Sequence, residues 1–339
     1  MKHMGRTIMA ALAGAVIAGA AGPAAAQQRP TISLALPGIP PVFIGVQPLV
    51  AQQEKLFDKY DVNVTLRPFD TGAAAARAVV AGDLDVSISP TALIINMISN
   101  ANVDLVTIFG YEKPTWRIAS MDPNTRCEDL KGQPVAVDTP GGARSIALNQ
   151  MLRACNLTAN DTQQVGMSSN GSAALIAGQI KHAVQHLDEV PVVERESGKP
   201  VKIVVTLADV TPVNHYTTLT TTRAKVESKR DALVRMLAAL MEATAFMSDP
   251  ANADRVAKAA EPTGRKPEDA KRAVAEYVKM DFWTKDGHGL TPKNIEAVTA
   301  VQKRVGGITE GKEPVRYERF VNLSIYEEAV KLVRSKKGS

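Results

Sequence analysis

"RAVVAGDLDVSI" occupies residues 77–88, and "AALIAGQIKHAV" occupies residues 173–184. In each copy an Ala-rich apolar run ends at an Ala-Gly pair (Ala81-Gly82, Ala177-Gly178). Two residues beyond the glycine an aliphatic side chain (Leu84, Ile180) opens a short alternating segment. Ala and Leu favour a helix, glycine accepts the left-handed conformation that ends one, and period-two alternation suits a half-buried strand. The repeated order of helix, stop and strand predicts two lobes of similar construction.

Strands and helices alternate outward from both copies. "TISLALPG" (31–38) and "VNVTLRPFD" (62–70) read as strands, and "PVFIGVQPLVAQQEKLFDKY" (41–60) between them carries a helical stripe. Helix, strand and helix follow over 71–100, then a strand at 103–110. A second series runs from about 111 to 215. Residues 127–157 give a turn, a strand, a Gly-rich loop and a helix, 163–189 repeat that order, and 201–210 add a strand. Such alternation predicts an α/β fold built on βαβ units and mostly parallel sheet. The rest is helical, at 229–249, 249–261, 266–280 and 323–334. These amphipathic helices are expected to fold back on the first lobe.

The 339 residues are 45% hydrophobic and 22% charged, a globular composition. Aromatic residues make up 4%, so the cores must be aliphatic. Residues 1–26 place Lys2 and Arg6 before an apolar run and end in "AAA", the pattern of a secretory signal with a small-residue cleavage site. The expected product is exported and periplasmic, with formal charge reduced from +5 to +3 by loss of those two cations. This mild excess, with its only basic run in the tail at 333–339, excludes no anionic ligand but gives no reason to expect nucleic acid. Cys127 and Cys155 lie before a predicted strand and at the end of the helix after it. Their chain path allows a disulfide in an oxidising compartment, with two buried free thiols as the alternative.

Ligands of open α/β sheets bind beyond the carboxyl ends of strands, where loops enter helices. Four such junctions are rich in Gly, Ser and Thr: 69–77, 87–93, 137–145 and 168–174. Each offers backbone N–H groups and hydroxyls, either as ordinary helix caps or as part of an anion site shared between the lobes. Arg144 is a candidate for holding a carboxylate or sulfonate, or else an exposed arginine on a first helical turn. Phe43 and Trp116 are candidates for an apolar wall, or core and hinge residues. His186, Asp188, Glu189, Asn214 and His215 are candidate ligand contacts; Glu189 beside Arg144 would suit a zwitterion, or the two pair with each other. His182 and His186 are four apart, but Gly178 has already stopped the helix, so no metal is expected. No H-E-x-x-H, C-x-x-C, G-x-S-x-G or Walker A spacing occurs in the chain, and no catalytic residue or cofactor is expected.

"AGDLDVSISP", "CEDLKGQPVAV", "TPGGARS", "AALIAGQI" and "DFWTKDGHGLTPKNIEAV" (281–298), in this order, resemble the periplasmic substrate-binding proteins of ABC importers for nitrate, taurine and sulfonates. These share their fold with binders of thiamine-pyrimidine precursors. The resemblance covers roughly residues 30–332 and implies a two-lobed type II periplasmic binding fold that closes on its ligand like a hinge. Lobe one would comprise 30–112 and 216–332, and lobe two 113–215. It further implies ligand contacts from Thr71, Gly72, Ser89, Thr91, Thr139, Gly141, Gly142, Arg144 and Ser145. The expected function is capture of a small organic anion by a monomer and its delivery to an inner-membrane permease. An enzymatic or pyrimidine-binding relative on the same fold, or a ligand-loaded partner of a sensor, is the alternative. One departure stands out: Lys181-His182 replaces the Asp-Ala usual after the second Ala-Gly stop, which questions the ligand side of lobe two.

Overall fold

The computed structural model describes Met1 and residues 28–167, 171–210, 216–284 and 289–337. The expected signal segment beyond Met1 lies outside them, as do Asn214 and His215. No helix among the described residues is long and apolar enough to cross a membrane.

Among the described residues ten strands form the framework: β1 (Thr31–Pro37), β2 (Asn63–Phe69), β3 (Ser87–Pro90), β4 (Val106–Glu112), β5 (Arg117–Ser120), β6 (Pro134–Val137), β7 (Gln163–Gly166), β8 (His182–Gln185), β9 (Lys202–Thr206) and β10 (Thr217–Thr221). β1 and β2 pair in parallel. The hydrogen bonds Ala35 N to Val86 O (2.9 Å) and Val86 N to Ser33 O (3.0 Å) join β1 to the segment entering β3. The first sheet therefore runs β2-β1-β3-β10-β4, and the second runs β7-β6-β8-β5-β9. The two orders are the same pattern, and the sequence echo falls on the same strand of each. Gly82 (φ 90°) ends the helix Gly72–Ala81 before β3, and Gly178 (φ 69°) follows the helix Gly171–Ile176 before β8. Positive φ excludes most side chains, which is why both stops are glycine.

Neither sheet is mostly parallel throughout. β10 is antiparallel to both β3 and β4, and β5 is antiparallel to both β8 and β9. Each of these strands carries the chain in from the other lobe, and so enters its sheet from the opposite end. The helical stripe at 41–60 is also divided. A 3-10 turn Phe43–Gly45 leads into helix Val46–Gln53, and helix Leu56–Lys59 follows a break at Lys55, whose φ is 54°.

Both faces of each sheet are covered. In lobe one, Ile32, Leu34, Val86, Ile108 and Phe109 pack with the helix Arg230–Met247 and with Tyr277, Phe282 and Ile325. The other face sets Ala35, Ala76 and Ile95 against Leu290, Ile295 and Phe320. In lobe two, Ile118, Val135, Val137 and Val184 pack on Leu148, Met151 and Leu152, and Ala136 and Ala183 meet Leu175 and Val193. Burying such side chains contributes about 1.5–3 kcal/mol each. Cys127 and Cys155 form a disulfide, with Cα atoms 5.0 Å apart, that pins the Met151 end of the helix Ala143–Met151 to the turn before β6.

Candidate functional site

The carboxyl ends of both sheets face one another across a cavity of about 50 Å³. This is several times the roughly 10–15 Å³ that one water requires. Lobe one contributes Pro37 and Gly38 after β1, Asp70, Thr71 and Gly72 after β2, and Ile88 and Pro90 from β3. Lobe two contributes Trp116 before β5, Asp138, Ala143 and Arg144 after β6, and His186 after β8. Glu112 and Thr217 complete the wall at the strands that cross between lobes. There Tyr216 N donates to Glu112 O at 2.7 Å, and Glu112 and Thr217 are partners in the ladder.

Of the residues expected at the site, Thr71, Gly72, Trp116, Arg144 and His186 line this cavity. Thr71 caps its helix by accepting from Ala74 N at 3.1 Å. Phe43 is buried beside the site instead, its ring 5.7 Å from that of Tyr277. Ser89 Oγ donates to Gly72 O (2.8 Å), and Thr91 N donates to Tyr216 O (2.9 Å). Ser145 Oγ accepts from Gly141 N (3.1 Å) and donates to Gln164 Oε1 (2.6 Å). Thr139 O accepts from Gly142 N at 2.9 Å. Gly142 is required by a close approach: a Cβ there would lie 2.5 Å from the Asp138 carboxylate. That carboxylate occupies the helix start itself, accepting from Arg144 N (3.2 Å) and Ser145 N (3.4 Å). The donors that an anion was expected to meet at the 137–145 junction are thus filled by the chain's own aspartate, while residues 168–170 of the other lobe-two junction lie outside the described residues.

Arg144 is only 4% exposed, not a surface arginine. Its Nη1 and Nη2 donate to Glu189 Oε2 and Oε1 at 2.8 and 2.7 Å, and Nη1 also donates to Val184 O. Of the two readings of Arg144 and Glu189, the structure shows the pair. Burial works to raise the Glu189 carboxyl, but the charge and hydrogen bonds of Arg144 prevail and hold it at about 2. Asp188 completes a buried network by accepting from Arg265 Nη2 (2.7 Å) and from Tyr277 Oη, both from the helical region packed on lobe one. Burial lowers His186 to about 4, so its ring is neutral, with Nδ1 3.1 Å from Thr115 Oγ1. Its ring lies against Trp116, centroids 3.4 Å apart, and the Arg144 guanidinium stands 4.9 Å from the Trp116 ring centroid.

Lys181 and His182 sit at the other end of β8 from the cavity, with Lys181 exposed. Their departure from the usual residues therefore does not touch the ligand side. Glu112, Asp138 and Thr217 were missed by the reading of Gly-, Ser- and Thr-rich junctions. The available signal for Glu112 was its place as the one charge ending the apolar strand "VTIFGYE".

The model of the NMT1-like family matches residues 28–261. No curated protein matches the chain in sequence. Among solved structures, a protein from Bordetella bronchiseptica RB50 is similar at 19% identity and a TM-score of 0.76, over 91% of this chain and 99% of that one. The periplasmic nitrate-binding protein NrtA from Synechocystis PCC 6803 is similar at 12% identity and 0.73, over 90% and 89%. The alkanesulfonate-binding protein SsuA from Xanthomonas axonopodis pv. citri, bound to MOPS, is similar at 15% identity and 0.70, over 88% and 99%.

Proposed function

The chain belongs to the NMT1-like family, and on that premise we propose that it is the solute-binding component of an ABC importer, working in the periplasm as a monomer and delivering its ligand to an inner-membrane permease. The observation that carries this reading is the cavity walled by both lobes and by the two strands that cross between them. Lobes spanning 30–112 with 216–332, and 113–215, would rotate about those strands. Contacts available from both lobes only when they meet shift the population towards the closed form. The Asp188 links to Arg265 and Tyr277 act in the same sense, because they join lobe two to helices packed on lobe one.

Thr71, Gly72, Trp116, Arg144 and His186 are the proposed ligand-facing set, with Arg144 acting through the shape it imposes on Trp116 rather than as an available charge. The expected organic anion has its best remaining support in the helix start at Gly72, whose dipole favours negative charge. A thermal-shift screen of residues 27–339, freed of bound solute, tests the reading. A saturable rise in melting temperature with one solute class supports it; no shift across sulfonates, carboxylates, nitrate, amino acids, amides and heterocycles overturns it.

A further inference from the structure

Beside the layer that carries Trp116 and His186 lies a second cavity, of about 220 Å³. Consecutive residues of extended chain point to opposite faces. Trp116 and His186 line the interlobe cavity, and their neighbours Arg117 and Leu187 line this one. Lobe two adds Val190 and Pro191 from the helix Glu189–Ser197. The facing wall is the helix Pro267–Lys279, which presents Arg272 and Ala273 and packs on lobe one through Ala270, Val274 and Tyr277.

The charges of this second cavity are unequally matched. Each of its three acids already has a cation: Asp188 accepts from Arg265 Nη2 (2.7 Å), Asp269 pairs with Arg195, and Glu276 pairs with Lys279 (2.8 Å). Neither the Arg117 nor the Arg272 guanidinium has an ion pair or hydrogen bond among the described residues. Arg272 is exposed, but Arg117 Nε is buried with no acceptor. The carboxylates that attract Arg117 are held elsewhere, Asp188 by Arg265 and Asp209 by Thr206 Oγ1 (2.5 Å). Burial lowers the pKa of Arg117 accordingly. A guanidinium withdrawn from water carries a desolvation cost that a forked hydrogen bond to an anion offsets.

We propose that this cavity is a second binding site, taking a small organic carboxylate whose head meets Arg117 and Arg272 and whose apolar body lies against Leu187, Val190, Pro191 and Ala273. The two arginines come from different lobes. An occupant therefore ties the helix Pro267–Lys279 to β5, on the other side of Trp116 from the interlobe cavity. The site is independent of the solute-binding reading, which uses neither arginine.

Titration calorimetry of the full chain with benzoate, and with benzamide as its uncharged match in shape, tests the assignment. Benzoate should bind saturably and at least about tenfold more tightly than benzamide. Arg272→Met, at an exposed position, and Arg117→Met, each first shown to melt cooperatively, should each weaken benzoate at least about tenfold. Hydrogen exchange locates the occupant: benzoate should slow residues 187–193 and 269–276 in the parent chain and not in Arg272→Met. Equal benzoate affinity in the parent and both variants, or slowing confined to 71–74 and 143–146, assigns benzoate to the interlobe cavity. That result overturns the second site while supporting the solute-binding reading. Benzamide binding as tightly as benzoate overturns the carboxylate class. No saturable heat from benzoate overturns the proposal and leaves the solute-binding reading to its own screen.

Discussion

The two lobes share one strand order yet build opposite kinds of wall at the end of the repeated strand. After β3 lobe one presents Ser89, Pro90 and Thr91, uncharged groups whose hydrogen bonds stay within the lobe or reach the crossing segment at Tyr216. After β8 lobe two presents His186, Asp188 and Glu189, bound into a buried network with Arg144, Arg265 and Tyr277. At the start of the same strands the contrast reverses. Asp85 ahead of β3 accepts from Ser33 and pairs with Lys229 at 2.8 Å, whereas Lys181, its counterpart ahead of β8, is exposed. One backbone motif therefore leads to an uncharged strand end in lobe one and to a buried charged network in lobe two.

Cutting the charged network should have the largest effect. Arg144→Ala leaves Glu189 buried without its cation and should cost about 3–5 kcal/mol of stability, read from urea unfolding. The Arg144→Met, Glu189→Leu double variant removes both charges and should recover most of that loss. If Arg144→Ala unfolds like the parent chain and only ligand affinity falls, the pair is not structural and the contrast between the lobes fails.

Opening the disulfide should cost nearly as much. The bridge closes a loop of 28 residues in sequence separation, and removing it with Cys155→Ala should lower stability by about 3–4 kcal/mol. The loss should appear in the hydrogen exchange of lobe two, and equal loss of protection in both lobes would show that they unfold as one unit.

Acid sharpens the comparison further. His186 is depressed from 6.5 to about 4 in the folded chain, so the unfolded state binds the proton first and stability falls as pH drops through that window. Glu189, lowered from 4.5 to about 2, continues the loss below it. His186 faces Thr115, Trp116, Glu189, Asp188, Arg144 and Arg265, and His186→Gln should remove about 3 kcal/mol of pH dependence between pH 6.5 and 4. A variant with an unchanged acid limb would place the titration elsewhere. The smallest effect is expected at the departure from the family pattern: Lys181→Asp should change stability by no more than about 0.5 kcal/mol and ligand affinity not at all, by the same unfolding and calorimetric measurements.

Much of the fold was legible because its signals are local. The Ala-Gly stops at Gly82 and Gly178, the Thr71 cap and the alternation of β1 depend on neighbours within a turn or a strand. The antiparallel entry of β5 and β10 was not legible, because it follows from the chain changing lobes, which no window of residues records. At the site, Trp116, Arg144 and His186 could be named from the loops and strand ends where they stand, and Thr71 and Gly72 from the family resemblance. The role of Arg144 could not, since its partner Glu189 lies 45 residues away and only the packed geometry excludes the alternatives.

By itself, then, the sequence determined two βα lobes, their glycine stops, the order of elements and the family. Each depends on backbone preference and periodic burial, properties that a short stretch carries wherever it is placed. Tertiary structure alone decided which charges are spent on one another and which side chains line the cavity. Arg144 became part of the scaffold and Glu112 part of the cavity wall because pairing depends on distance and orientation in space, and burial makes each pairing, or its lack, energetically decisive.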